Sequence, residues 1–214
     1  MMRATAVLGL GLVAWGQTGP QPPGLFFRED WNHREPFEQV DQTHVANRRL
    51  IQSQWGPGGK VIKKRHHRTA ADPYYIWSGA APANCALTLR HREAYANLRG
   101  RSKIRWRTLE SEFRRLHIVL RLADGTWLVS EESTGESKNW MESEHLVVDL
   151  HWRKLDIENI LEGPRLGNPD LGRVDEIGFT DLMRRGPSPP GSSSSASSRL
   201  DWIEVYAFSK KRGA

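Results

Sequence analysis

The chain has 214 residues, with 31 lysines and arginines against 25 acidic residues, a formal net charge of +6, nine tryptophans and one cysteine. A single cysteine, Cys85, excludes an intrachain disulfide, so packing has to hold the fold, and the length suits one all-β domain or two very small ones. Basic residues are spread along the chain instead of forming a tail, which favours acidic partners such as anionic polysaccharide, phospholipid headgroups or nucleic acid.

At the N-terminus, residues 1–3 carry one positive side chain, residues 4–14 are apolar, and Ala14 and Gly16 put small residues around a cleavage position. This is the pattern of a secretory signal peptide over residues 1–16. The apolar run is shorter than the roughly 20 residues needed to cross a bilayer, and nothing later in the chain is comparably apolar. The expectation is an exported protein, secreted or periplasmic, with no membrane span, and export argues against nucleic acid. QTGPQPPG, residues 17–24, reads as a flexible, turn-rich spacer before a single domain over residues 25–209.

KKRHHRTAADPYYIWSG, residues 63–79, divides in two. Residues 63–68 predict a basic rim loop in which His66 and His67 can reach a ligand, although adjacent side chains on an extended chain point apart and do not easily share a metal. Pro73 then fixes the approach to a strand over residues 74–78. Alternation sends Tyr75 and Trp77 to one face and Tyr74 and Ile76 to the other, so one of those sets belongs to the core.

Eight further segments alternate with a period of two: ALTLRH (86–91), KIRWRT (103–108), HIVLRL (117–122), TWLVS (126–130), HLVVDL (145–150), WRKLDI (152–157), DEIGFT (175–180) and LDWIEVYAF (200–208). Cys85, at the first of these, reads as a buried inert thiol. Trp106 points inward with Ile104 while Lys103, Arg105 and Arg107 face solvent; Ile118, Leu120 and Leu122 lie opposite His117, Val119 and Arg121. Ala123-Asp124-Gly125 makes a tight hairpin. Short helical turns are expected over residues 110–116 and at Asn168-Pro169-Asp170. The low-complexity stretch over residues 184–199 predicts a mobile loop within the domain. In LDWIEVYAF, Asp201 shares a face with Ile203 and Val205, opposite Trp202, Glu204, Tyr206 and Phe208. The sum is an all-β, two-sheet sandwich.

LRGRSKIRWRTLESEFRRLHIVLRLADGTWLVS, followed by WRKLDI, VDEIGFTDLM and SRLDWIEVY, resembles the galactose-binding-like jelly-roll modules of secreted bacterial carbohydrate-active proteins, over roughly residues 86–208. GLFFREDW, residues 24–31, is similar to their first strand. The resemblance implies a β-jelly roll whose commonest activity is non-catalytic carbohydrate binding. It also implies a structural calcium between first and last strands, here with Glu29, Asp30, Asp201 and Glu204 as ligands; two acidic pairs plus carbonyls could supply the six to eight oxygens that calcium takes.

Sugars are held by aromatic faces and by forked polar groups. Trp55 in QWGPGG and Trp140 in SKNWMES lie in turn-rich surroundings, and with His66, His67, Tyr74, Tyr75, Arg90 and His91 they form the candidate ligand-binding set. A basic rim of Arg101, Lys103, Arg105 and Arg107 would favour an acidic glycan. No catalytic residue is assigned. The first alternative is a polysaccharide lyase or hydrolase: the histidines, tyrosines and Arg90 supply a lyase's residue types, whereas no strand carries the paired carboxylates of a hydrolase. The second is a structural or protein-interaction module of the cell envelope.

Overall fold

The computed structural model describes residues 21–33, 38–65, 74–78, 83–111, 114–182 and 197–213. The expected signal peptide, the start of the spacer, His66, His67 and nearly all of the low-complexity stretch lie outside them. In chain order the strands are β1 (Leu25–Glu29), β2 (Leu50–Trp55), β3 (Lys63–Arg65), β4 (Tyr75–Trp77), β5 (Cys85–His91), β6 (Ala94–Asn97), β7 (Lys103–Glu110), β8 (Leu116–Leu122), β9 (Trp127–Ser133), β10 (Met141–Leu146), β11 (Trp152–Asp156), β12 (Leu161–Leu166), β13 (Val174–Asp181), β14 (Ser198–Tyr206) and β15 (Phe208–Lys211).

The strands pair antiparallel in two sheets. A six-stranded sheet runs β10-β7-β14-β4-β3, with β1 also on β14; a nine-stranded sheet runs β12-β11-β9-β8-β13-β5-β2, with β6 on β13 and β15 on β6. This is the expected two-sheet sandwich of jelly-roll type. Among the described residues the helical elements are three-residue 3-10 turns, and no helix is long and apolar enough to cross a membrane.

Period-two alternation builds the core. Ile104 and Trp106 of β7 face in and are fully buried, as are Ile118 and Leu120 of β8, Leu87 and Leu89 of β5, and Ile203 and Val205 of β14. Each such side chain contributes about 1.5–3 kcal/mol when removed from water. The β8–β9 hairpin turns through Gly125, whose φ of 91° only glycine adopts without strain. Cys85 is buried beside Asp181, and burial pushes its thiol up to about 12.

Several expectations are corrected. Residues 145–150 are not one strand: β10 ends at Leu146, and Val147–Asp149 form a 3-10 turn that buries Val147. The strand there is mostly polar because it is a sheet edge, with Glu142 and Glu144 opposite Arg107 and Arg105. Glu110 ends β7 and Leu116 opens β8, residue 168 is a bend and residues 169–170 carry no regular structure, so among the described residues neither stretch is helical. A bulge between Leu200 and Trp202 makes Asp201 an extra residue in β14 and carries it to the outer face, where it meets Arg107. Phe208 leaves that sheet and pairs with β6 in the other.

Two buried carboxylates hold the sandwich's margins. Glu29, at the end of β1, faces the core opposite Ile203 and is fully buried. Its oxygens accept from the backbone N–H groups of Trp31 at 2.7 Å, Ala46 at 2.7 Å and Asn47 at 3.0 Å. These bonds tie β1 to the lead-in of β2 and stabilise the turn at Trp31, whose φ of 59° costs a bulky residue about 1 kcal/mol. Glu110 closes the other margin: it accepts from Leu116 N at 3.0 Å and from the Thr134 hydroxyl, and burial pushes its pKa up to about 8.

Glu29→Ala is expected to cost about 3 kcal/mol in chemical denaturation, since it removes the acceptor of one buried and two part-buried backbone donors. Glu110 is held protonated by the fold, so its contribution is fully present below its ordinary pKa of 4.5 and is lost as pH rises through about 8. The stability of Glu110→Gln relative to the parent should therefore rise across that window by about 1.4 kcal/mol per pH unit, read from urea melts; a pH-independent difference would show that Glu110 is ionised in the fold.

Candidate functional site

The outer face of the nine-stranded sheet has two halves. On one, the turn between β11 and β12 folds back so that Ile157 and Ile160 pack with Leu155 over Ala86, Val119 and Val129. Ile160 takes a left-handed φ of 52°, and Asn84 Nδ2 donates to its carbonyl at 3.0 Å. Trp55 and Trp127 pack against the edge of this cluster and stay half-buried, marking where the chain's own cover ends.

Beyond the tryptophans the face is polar and tightly bonded. Trp55 Nε1 donates to Thr88 Oγ1 at 2.9 Å, and Thr88 donates to Glu176 Oε2 at 2.5 Å. Arg121 donates to Glu176 Oε1 at 2.9 Å and lies over the Trp127 ring, 5.5 Å from its centroid. The two indoles meet edge-on, 5.1 Å apart, which closes the circuit. Register explains the convergence: Arg121 pairs with both Trp127 and Glu176, Glu176 with Arg90, and Gly178 with Thr88. Gly178 is required because a Cβ there would lie 2.0 Å from the Leu87 carbonyl oxygen.

A bulge between Val174 and Glu176 turns Asp175 to the same face. Asp175 accepts from Arg90 Nε at 3.1 Å and Arg212 Nη1 at 2.5 Å, with Arg121 at 3.7 Å. Three guanidinium groups thus share two carboxylates, and Arg90 and Arg121 keep 42% and 37% of their side chains exposed. Each carboxylate is already committed to arginines. What remains for a ligand is two indole surfaces beside fixed, forked donors.

The structure disperses the rest of the sequence-predicted set. Of its described members, Trp55 and Arg90 alone share this face. His91, next to Arg90, points the other way; it is buried against Phe26, 5.1 Å between centroids, and burial lowers its pKa. Tyr75 and Trp140 meet edge-on at 5.3 Å outside the six-stranded sheet, but Tyr75 is fully buried there and Ile76 is the core residue. Tyr74 stacks on His33 at 4.1 Å beside Lys64, whose ammonium burial pulls down to about 7.

The four proposed calcium ligands do not converge. Glu29 faces inward on backbone donors; Glu204 faces outward and accepts from Arg28 and Arg105; Asp30 pairs with Arg28 and Asp201 with Arg107. Among the described residues no group of three acidic, histidine or cysteine side chains could hold a metal ion. Arginines occupy the positions a cation would take. The basic rim of Lys103, Arg105 and Arg107 is likewise engaged, with Glu144, Glu142, Glu204 and Asp201 and over the rings of Tyr206, Trp202 and Trp140.

Thr88, Arg121, Trp127, Asp175 and Glu176 were missed in the sequence. One signal was available: the β8–β9 hairpin places Trp127 opposite Arg121, already assigned away from the core.

No protein-family model matches the chain, and no curated protein matches it. Among solved structures, it is similar to a family 11 carbohydrate-binding module of a cellulosomal cellulase of Clostridium thermocellum, at 12% identity over 80% of this chain and 94% of that one, with a TM-score of 0.45. A family 11 module from the same organism, in complex with a β-1,3-1,4-mixed-linked tetrasaccharide, is similar at 13% identity over 79% and 94%, with a TM-score of 0.43. A cleaved adhesin domain of Lys-gingipain from Porphyromonas gingivalis is similar at 10% identity over 73% and 90%, with a TM-score of 0.40. What the site can hold follows from its own geometry.

Proposed function

We propose that this is an exported, non-catalytic carbohydrate-binding protein that takes a glycan on the open half of its nine-stranded sheet. The observation that carries the reading is the closed circuit of Trp55, Thr88, Glu176, Arg121 and Trp127. Apolar ring faces of a pyranose fit half-exposed indoles, and its hydroxyls fit guanidinium forks held still by carboxylates. Such a surface is organised before the ligand arrives, which keeps the cost of binding low. The excess of one guanidinium over the carboxylates favours an acidic glycan over a neutral one, and the apolar stretch at residues 4–14 supports export.

A glycan array followed by calorimetry tests this. Trp127→Ala and Trp55→Ala are each expected to weaken a hit about tenfold or more, ~1.4 kcal/mol. Arg90→Ala, at a partly exposed position where Arg212 still holds Asp175, should weaken it with little change in the thermal midpoint, which separates lost contacts from lost folding. Binding that survives all three substitutions would move the site elsewhere, and new reducing ends or unsaturated products would make the protein an enzyme.

A further inference from the structure

The outer face does not stop at the platform. Ala96 of β6 pairs with Val174 of β13, and both are core residues, so Tyr95 and Asn97 lie on the outer face. Lys210 of β15 pairs with Tyr95 and shares that face. Two guanidinium groups lie over the Tyr95 ring, Arg212 at 4.2 Å and Arg173 at 4.9 Å from its centroid. Arg212 is anchored to the His91 carbonyl at 3.0 Å and to Asp175, the carboxylate that also holds Arg90. The platform and the Tyr95 corner are therefore one connected surface.

Their electrostatics differ. Arg90, Arg121 and Arg212 are all engaged by Asp175 and Glu176. Arg173 and Lys210 are exposed and make no direct ion pair among the described residues; the acid on which Lys210 acts is Asp170, which is itself paired with Arg99 at 2.6 Å. From Trp127 on β9 to Tyr95 on β6 is three inter-strand steps, about 14 Å at the usual spacing. One sugar ring cannot cover that distance.

We infer that Tyr95, Arg173 and Lys210 form an anion subsite that receives a carboxylate of the same glycan chain whose rings lie on Trp55 and Trp127, so that the ligand is a uronate-containing polysaccharide bound over several units. The inference rests on the carbohydrate reading of the platform. Tyr95 positions the guanidinium groups by cation–π contact, Arg173 offers the planar fork that matches a carboxylate, and Lys210 adds a point charge.

Calorimetry with oligogalacturonate di- and hexasaccharides, and with cello-oligosaccharides of the same lengths, tests it. The uronate hexasaccharide should bind about tenfold more tightly than its neutral counterpart, and raised salt should remove most of that advantage. Arg173→Ala and Lys210→Ala should each remove a large part of it, whereas the neutral hexasaccharide, which offers the subsite hydroxyls but no charge, should lose much less. If Trp127→Ala abolishes all binding while both charge variants bind the uronate hexasaccharide as the parent does, the subsite is wrong and the platform stands. If the charge variants lose the uronate ligand but Trp127→Ala does not, the subsite stands and the platform is wrong. Failure of every oligosaccharide to bind overturns both, and preference for a sulfated oligosaccharide over the uronate overturns the carboxylate assignment.

Discussion

A continuous apolar layer between two sheets is the constraint on which everything else depends. There is no disulfide to hold the chain and, among the described residues, no long helix to cover a sheet, so each central strand must send alternate side chains inward. An arginine-rich chain satisfies this by pairing a buried cation, as Arg114 is paired with Asp181, and placing most of the others on the outer faces. There the guanidinium groups settle over aromatic rings and against carboxylates, as Arg28 does between the Trp202 ring and Glu204. The two outer faces use the same residue types differently. On the six-stranded sheet Lys103, Arg105 and Arg107 consume one another's partners; on the nine-stranded sheet half-buried indoles and partly exposed guanidinium groups remain presentable.

Two bulges determine how charge is distributed over those faces. In β13 the extra residue is Asp175 and in β14 it is Asp201, and each brings an acid to an outer face where arginines already stand. Without the first, Arg90 and Arg212 would lack their shared partner. Without the second, Arg107 would lack its own. A bulge here acts as an electrostatic device as much as a geometric one.

The strands and the inner faces were legible in the sequence because burial imposes alternation, as at Ile104, Trp106, Ile118 and Leu120. Edges were not. β10 reads Met-Glu-Ser-Glu-His-Leu and is stabilised by acids across from arginines, which leaves no apolar period to see. Parity also failed at Asp201, since one inserted residue reverses the face of its neighbours and nothing local in LDWIEVYAF marks it. The site was legible only in fragments. Trp55 and Arg90 were identified singly, but they lie on β2 and β5, and their partners Glu176, Arg121 and Trp127 come from three more strands. Only the ladder register brings the five together. The four carboxylates offered for calcium lie on or next to neighbouring strands, but they do not converge, and three of them face arginines.

The position of the lone cysteine has a consequence for the life of the chain. Thiol exchange runs through the thiolate, and Cys85, fully enclosed and with a pKa pushed to about 12, forms almost none at neutral pH. A surface cysteine without an intrachain partner would pair with other proteins wherever disulfides are made. Enclosed at the start of β5, this one cannot, and the folded chain can pass through an oxidising compartment as if it contained no cysteine at all.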